Sequence, residues 1–321
     1  MNYKPILIVA GEPNSIFLEI FFKALKHKKY KSPIILIASK KLLLLQMKKL
    51  HFKININILN PDILSNYQLT NKSINLINVD YNVKKAFEQI SKKSHNYIEE
   101  SFKIAFKIIK SNFTNKFING PISKNTFLDK KFPGITEYIS TSFSIKKNAM
   151  LIYNQKLSVC PVTTHLPLKF VSKNINKKII ADKVHLIDTF YKNIIGIKPN
   201  IAILGLNPHC ESTDSFNEDE KILKPTVKDL FKQGYKVAGP FSADTIFLEN
   251  NRKKFDVIIG MYHDQVLTPL KTLYEYNAIN ITLGLPFIRI SPDHGPNQNM
   301  LGKNLSNPLS LINAISFLDK K

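Results

Sequence analysis

The chain has 321 residues, 46 Lys+Arg against 24 Asp+Glu, a net charge of +22, two cysteines and no tryptophan. A composition 44% hydrophobic and 22% charged excludes a disordered polymer, and no apolar run approaches the roughly 20 residues that cross a bilayer. Cys160 and Cys210 lie too far apart in sequence to suggest a disulfide framework, so a reducing cytoplasm is the expected compartment. The first strand runs straight into Gly11-Glu12-Pro13, unlike the layout of a signal peptide. The length suits two domains or one large α/β unit.

In chain order, Ile6 to Ala10 reads as a buried strand and Ser15 to His27 as a helix, with Ile16, Ile20 and Ala24 on one face. A strand over Pro33 to Ala38, a helix over Lys40 to Leu50 and a strand over Ile54 to Leu59 follow. The polar, poorly periodic stretch from Leu59 to Val83 is expected to be a loop-rich insertion. Tyr97 to Lys110 is helical in pattern, with Ile98, Phe102, Ala105, Phe106 and Ile109 on one stripe. Strands are expected at Lys116–Asn119, Ala149–Tyr153, Leu157–Val162, Asn200–Leu206, Lys236–Ala238, Asp256–Gly260 and Ile279–Leu283. Helices are expected between them, notably Asn176–Asn193 and Leu223–Gln233. The alternation predicts an α/β protein with a mostly parallel sheet.

The charge alone would suggest nucleic acid, but only Arg252 and Arg289 are arginines. Nucleic-acid surfaces favour the planar guanidinium fork, and these lysines are scattered, so the composition argues against such a partner. A basic surface still suits anionic small molecules.

Open α/β sheets bind ligands at the C-terminal ends of their strands. Three histidines follow expected strands there: His165, His209 and His263, the last preceding Asp264. Three imidazoles so placed form a natural site for a divalent cation, with Asp244 and Asp264 available to order the rings or to ligate. The other constellation is the Asn280 to Arg289 run, in which a retained arginine among lysines hints at a phosphate or carboxylate. Lys271 lies about two helical turns beyond His263 if that segment is helical. No G-x-G-x-x-G, Walker A, G-x-S-x-G or H-E-x-x-H sequence occurs. The residues alone point to a metal-dependent α/β enzyme of the cytosol acting on a small anionic substrate.

The segments Thr163-Thr164-His165-Leu166-Pro167-Leu168, Gly205-Leu206-Asn207-Pro208-His209, Ala243-Asp244-Thr245 and Met261-Tyr262-His263-Asp264-Gln265 occur in a telling order. Together with the Asn280 to Arg289 run and Asp293-His294-Gly295, they resemble the 4-hydroxythreonine-4-phosphate dehydrogenase family of pyridoxal phosphate biosynthesis. Gly120-Pro121-Ile122-Ser123-Lys124 and Phe132-Pro133-Gly134-Ile135-Thr136-Glu137 match more weakly, and the likeness runs from Gly11 to Gly302.

The resemblance implies two α/β/α subdomains with a cleft between them, similar to isocitrate and isopropylmalate dehydrogenases. The expected division is 1–140 plus 285–321, contributing to cofactor binding, and 141–284, carrying the metal ligands and the dimer interface. It implies a homodimer whose active sites draw on both subunits and NAD or NADP as cofactor. It also implies one divalent metal, Zn, Mg or Co, on His165, His209 and His263. Substrate contacts carry over to Thr136, Lys271, Asn280 and Arg289, and catalytic roles to Asp244, Asp264 and Lys124. Asp293, His294 and Gly295 fall in the cofactor-binding segment. The implied reaction oxidises 4-phosphooxy-L-threonine to a 3-keto acid that decarboxylates to 3-amino-2-oxopropyl phosphate.

Three departures from the family pattern stand out. Ile135 occupies the place of a histidine in Gly-His-Thr-Glu, Asn14-Ser15-Ile16-Phe17 replaces a Gly-rich turn, and Pro296-Asn297 replaces Thr-Ala. Ile135 motivates an alternative substrate with the same chemistry, a threonate or erythronate phosphate. The alternative of another class is a non-catalytic metabolite- or RNA-binding protein.

Overall fold

The computed structural model describes residues 3–128, 131–132, 134–214, 216–292 and 295–320. The chain divides into two compact units, Met1–Ser142 with Pro286–Lys321, and Phe143–Leu285. Among the described residues no helix is long and apolar enough to cross a membrane.

The first unit opens with β1 (Ile6–Val9), α1 (Phe17–His27), β2 (Ile34–Ala38), α2 (Lys40–Lys49), β3 (Ile56–Ile58) and β4 (Ile74–Asn78). It continues with α3 (His95–Lys110), β5 (Lys116–Asn119) and α4 (Ile135–Ser142). The second unit contains β6 (Ala149–Tyr153), β7 (Ser158–Thr163), α5 (Lys177–Phe190), β8 (Ile201–Leu204), α6 (Lys224–Lys232) and β9 (Val237–Phe241). It ends with α7 (Ala243–Ile246), α8 (Glu249–Arg252), β10 (Val257–Tyr262), α9 (His263–Tyr274) and β11 (Ile279–Leu283). The chain then returns to the first unit as β12 (Ile288–Pro292) and α10 (Leu309–Leu318).

In the first unit the strand order is β3-β4-β2-β1-β5-β12, parallel throughout. The central strands are continuous apolar runs such as Ile6-Leu7-Ile8-Val9, as expected of strands covered on both faces. Here α1 packs on α10, and α3 lies against β1 and β2. Ser39 starts α2 by accepting the Leu42 amide. An aromatic cluster seats α4: Tyr138 meets Phe102, Phe106 and Phe127 with ring centroids 5.7, 6.1 and 5.3 Å apart.

The stretch from Leu59 to Val83 is not merely loop-rich, because β4 runs through it between β2 and β3. The reason is Asn75, a buried polar residue whose amide donates to the carbonyls of Ile34 and Thr70. Its side chain satisfies itself inside the fold and so masks the strand's burial in the sequence.

The second unit orders its strands β11-β6-β7-β10-β8-β9. The β11–β6 and β6–β7 pairs are antiparallel, whereas β7, β10, β8 and β9 run parallel. Its core gathers Ile152, Val159, Leu204, Ile258, Val266 and Leu270, so α9 is packed onto β7 and β10. Asn176 caps α5 by accepting the Ile179 amide at 3.0 Å.

Candidate active site

In the second unit the parallel strands β7, β10, β8 and β9 lie side by side, about 4.8 Å apart. Each delivers one residue of interest just past its C-terminal end: His165 after β7, His263 after β10, His209 after β8 and Asp244 after β9. His263 opens α9, whose first turn is held tight to β10 because a Cβ at Gly260 would stand 2.5 Å from Val266 Cγ1. The Thr163 hydroxyl donates to the Met261 carbonyl at 2.7 Å, tying the ends of β7 and β10 together.

Those ties bring His165 and His263 together, with ring centroids 6.1 Å apart and planes tilted by 34°. His263 Nδ1 lies 2.6 Å from Asp264 Oδ1, which leaves Nε2 to face a ligand. Two imidazoles sharing a cation at metal–nitrogen distances of about 2.1 Å have centroids roughly 5–6 Å apart, so this pair stands near the spacing of two ligands of one divalent ion. Asp244 accepts the Ser242 hydroxyl at 2.6 Å. That bond, and secondarily the nearby His209, hold its carboxyl below the usual carboxylate range. The row therefore resolves into two pairs, His165 with His263 and His209 with Asp244. Among the described residues, no three His, Cys, Asp or Glu side chains come together closely enough to hold a metal ion.

Also in this unit, Lys271 is exposed on α9, eight residues beyond His263. Asn280 lies on β11, where its Oδ1 is buried with no hydrogen-bond partner. A buried amide oxygen left so is an acceptor suited to a ligand's N–H or O–H.

In the first unit, Arg289 on β12 is fully buried. Its Nε donates to Asn119 Oδ1 at 2.7 Å and its Nη1 to Thr136 Oγ1 at 3.1 Å. Desolvation lowers its pKa to about 10 against the opposing field of Glu137. Thr136 and Glu137 lie in the first turn of α4, beside half-buried Ile135. Lys124 is exposed on the turn that follows β5. The β1 and β5 turns are bound together: the Glu12 amide donates to the Pro121 carbonyl, and Gly11, at φ +77°, has that oxygen where a Cβ would stand. Gly295 is exposed, with open space where a Cβ would stand, and Asp293 and His294 lie outside the described residues.

Asn119, Glu137, Asp219 and Gln265 join these constellations without having been singled out individually in the sequence. Asn119 could have been found by its place at the end of β5, the strand-end rule that found the histidines. Asp219 carries no such signal, because its carboxylate's partners are groups of Leu206 and Asn207, more than ten residues away.

A protein-family model described as pyridoxal phosphate biosynthetic protein PdxA matches residues 29–318. The chain belongs to this family. Among its relatives is the 4-hydroxythreonine-4-phosphate dehydrogenase of Sulfurihydrogenibium sp. (strain YO3AOP1), 39% identical over 318 residues, 97% of this chain and 96% of that one. The D-threonate 4-phosphate dehydrogenase of Salmonella typhimurium is 30% identical over 304 residues, 92% of each chain. The crystal structure of the Klebsiella pneumoniae 4-hydroxythreonine-4-phosphate dehydrogenase superimposes with a TM-score of 0.83 at 25% identity, covering 98% of both chains. PdxA-family membership makes the chain a dehydrogenase-type oxidoreductase of pyridoxine biosynthesis.

Proposed function

We propose that the chain oxidises 4-phosphooxy-L-threonine with NAD or NADP to a 3-keto acid that decarboxylates to 3-amino-2-oxopropyl phosphate. The observation that carries this reading is the strand-end row, with His165 and His263 set 6.1 Å apart and one ring anchored by Asp264. His165, His263 and His209 would hold a divalent metal, Zn, Mg or Co. A second copy of the chain would complete each site in a cytoplasmic homodimer. Such a metal would polarise the substrate hydroxyl and ketone, while the nicotinamide takes the hydride.

The chain's own side chains supply the rest. Asp264 fixes the His263 ring. Asp244, its carboxyl held below the usual carboxylate range by Ser242, is the anionic neighbour of His209. Proton removal rests with Asp244, Asp264 or Lys124, which the pH–rate profiles of D244N, D264N and K124M separate. Lys271 and Arg289 match the substrate's anionic groups in charge, and the Asn280 oxygen accepts from its amino or hydroxyl group. Thr136 is oriented by its bond from Arg289. The unit formed by 1–142 and 286–321 contributes to cofactor binding, through the segment containing Asp293, His294 and Gly295.

Purified protein given NAD or NADP, each metal in turn and 4-phosphooxy-L-threonine should form reduced nicotinamide and release CO₂. Folded protein inactive with every metal would overturn the assignment. A second reading, oxidation of D-threonate 4-phosphate, is favoured by Ile135, whose side chain offers no hydrogen bond where the family has an imidazole. The ratio of kcat/KM values for the two substrates decides between them.

A further inference from the structure

We infer that Asp219 and Gln265 are positioning residues that set where His209 stands on the strand-end row; this deepens the metal-site reading above and rests on it. The loop from Gly205 to Cys210 has little regular structure of its own. His209 and Cys210 both adopt left-handed backbone conformations, φ 55° and 62°, which persist only where the surroundings over-determine them.

The surroundings here are two side chains. Asp219 is fully buried. Its Oδ1 accepts the Leu206 amide at 2.8 Å, and its Oδ2 accepts the Asn207 amide at 3.1 Å and the Asn207 side-chain amide at 3.0 Å. From the other side, Gln265 Nε2 donates to the Gly205 carbonyl at 2.8 Å while its Oε1 accepts the Met261 amide at 2.7 Å. One amide thus couples the start of the His209 loop to the end of β10, two residues before His263.

The fit leaves no slack. A Cβ on Gly205 would stand 2.6 Å from Cys210 Sγ and 2.8 Å from Asp219 Oδ1. An apolar side chain at Asp219 could fill the same space. What the carboxylate adds is the direction of two consecutive N–H groups, and hence the path by which Pro208-His209 leaves β8. Partners bonded directly to a ligating ring are worth roughly 10–100-fold in metal affinity, and that range is the scale against which a hold on the ligand's loop is read.

The test compares wild type, D219N, Q265L and the control D188N as full-length metal-free proteins. Asp188, on α5, is also buried, but it pairs with Lys192 in the turn that follows that helix and bonds no part of the 205–210 loop. Each protein is titrated with Co²⁺, read by the visible spectrum of the bound ion, and the amides of 205–211 are followed by hydrogen exchange. D219N should bind Co²⁺ roughly 10–100-fold more weakly, with an altered spectrum and faster exchange at Leu206 and Asn207. Q265L should move the same readouts by less, and it carries the comparison if D219N does not fold. D188N should keep wild-type affinity and spectrum. Wild-type affinity and spectrum in the folded variants, or an equal loss in D188N, would overturn the inference. Wild-type protein that takes up no Co²⁺ would instead overturn the metal reading, and this inference with it.

Discussion

The histidine row of one unit and the arginine of the other hold their chemistry in opposite ways. In the unit 143–285 the row stands on a rim: the side chains of His263 and Asp264 are 35% and 79% exposed, and their positions are dictated by the strands beneath them. In the other unit, Arg289 is fully buried on β12 and locked by Asn119 and Thr136. Imidazoles on a rim keep lone pairs open for an arriving cation while costing the fold little. A buried guanidinium is desolvated in advance, so its hydrogen bonds are part of the fold itself. Function should therefore separate from stability in the first region and be fused with it in the second.

The largest expected effect tests the rim. His263→Ala should lower kcat/KM on the order of 10³-fold, several kcal/mol of transition-state stabilisation. Its unfolding free energy, measured in urea, should stay within about 0.5 kcal/mol of wild type, as for a surface change. A large loss of stability there would break the contrast.

Arg289→Lys should lose activity and stability together. It forfeits the bonds to Asn119 and Thr136 and should cost about 2–4 kcal/mol in chemical denaturation. Ile135→His comes next: restoring an imidazole should change the ratio of kcat/KM for 4-phosphooxy-L-threonine over D-threonate 4-phosphate by about tenfold, the worth of one hydrogen bond.

The smallest effect concerns Glu12, a buried carboxyl beyond β1. Desolvation raises its pKa despite bonds from the Asn14 amide and the Ser94 hydroxyl. A carboxyl with a raised folded-state pKa binds its proton more tightly in the fold. Its contribution to stability therefore falls as pH rises from the ordinary value of about 4.5 through the raised one, then stays low. Glu12→Gln should accordingly raise the Tm slightly at pH 8, with the advantage shrinking as pH falls through that window. An advantage that grows in acid would contradict the assignment.

Much of the sheet was legible because its strands are apolar runs with clear ends: Lys116–Asn119, Ala149–Tyr153 and Ile279–Leu283 are the observed spans of β5, β6 and β11. What hid the others was buried polarity. Asn75 disguised β4, and Arg289 with Ser291 interrupted the apolar pattern of β12, for which no strand was expected. Helix α4 is only eight residues long and rich in Ser and Thr, so its face shows no clear period. In the site, the strand-plus-histidine pattern exposed His165, His209 and His263. The grip of Asp219 on a backbone 12–13 residues away follows from tertiary geometry and leaves no trace in spacing.

The return of β12 to the first unit has a consequence for synthesis. Arg289 bonds to Asn119 across 170 residues of chain. At about 5–20 residues per second, a ribosome takes roughly 10–30 s to cover that distance. During this wait the nascent β5, already beside β1, lacks β12 on its other edge, while the contiguous 143–285 segment emerges whole. The later-made unit can thus finish folding first, and a ribosome that stalls before residue 288 leaves a bare strand edge that invites aggregation.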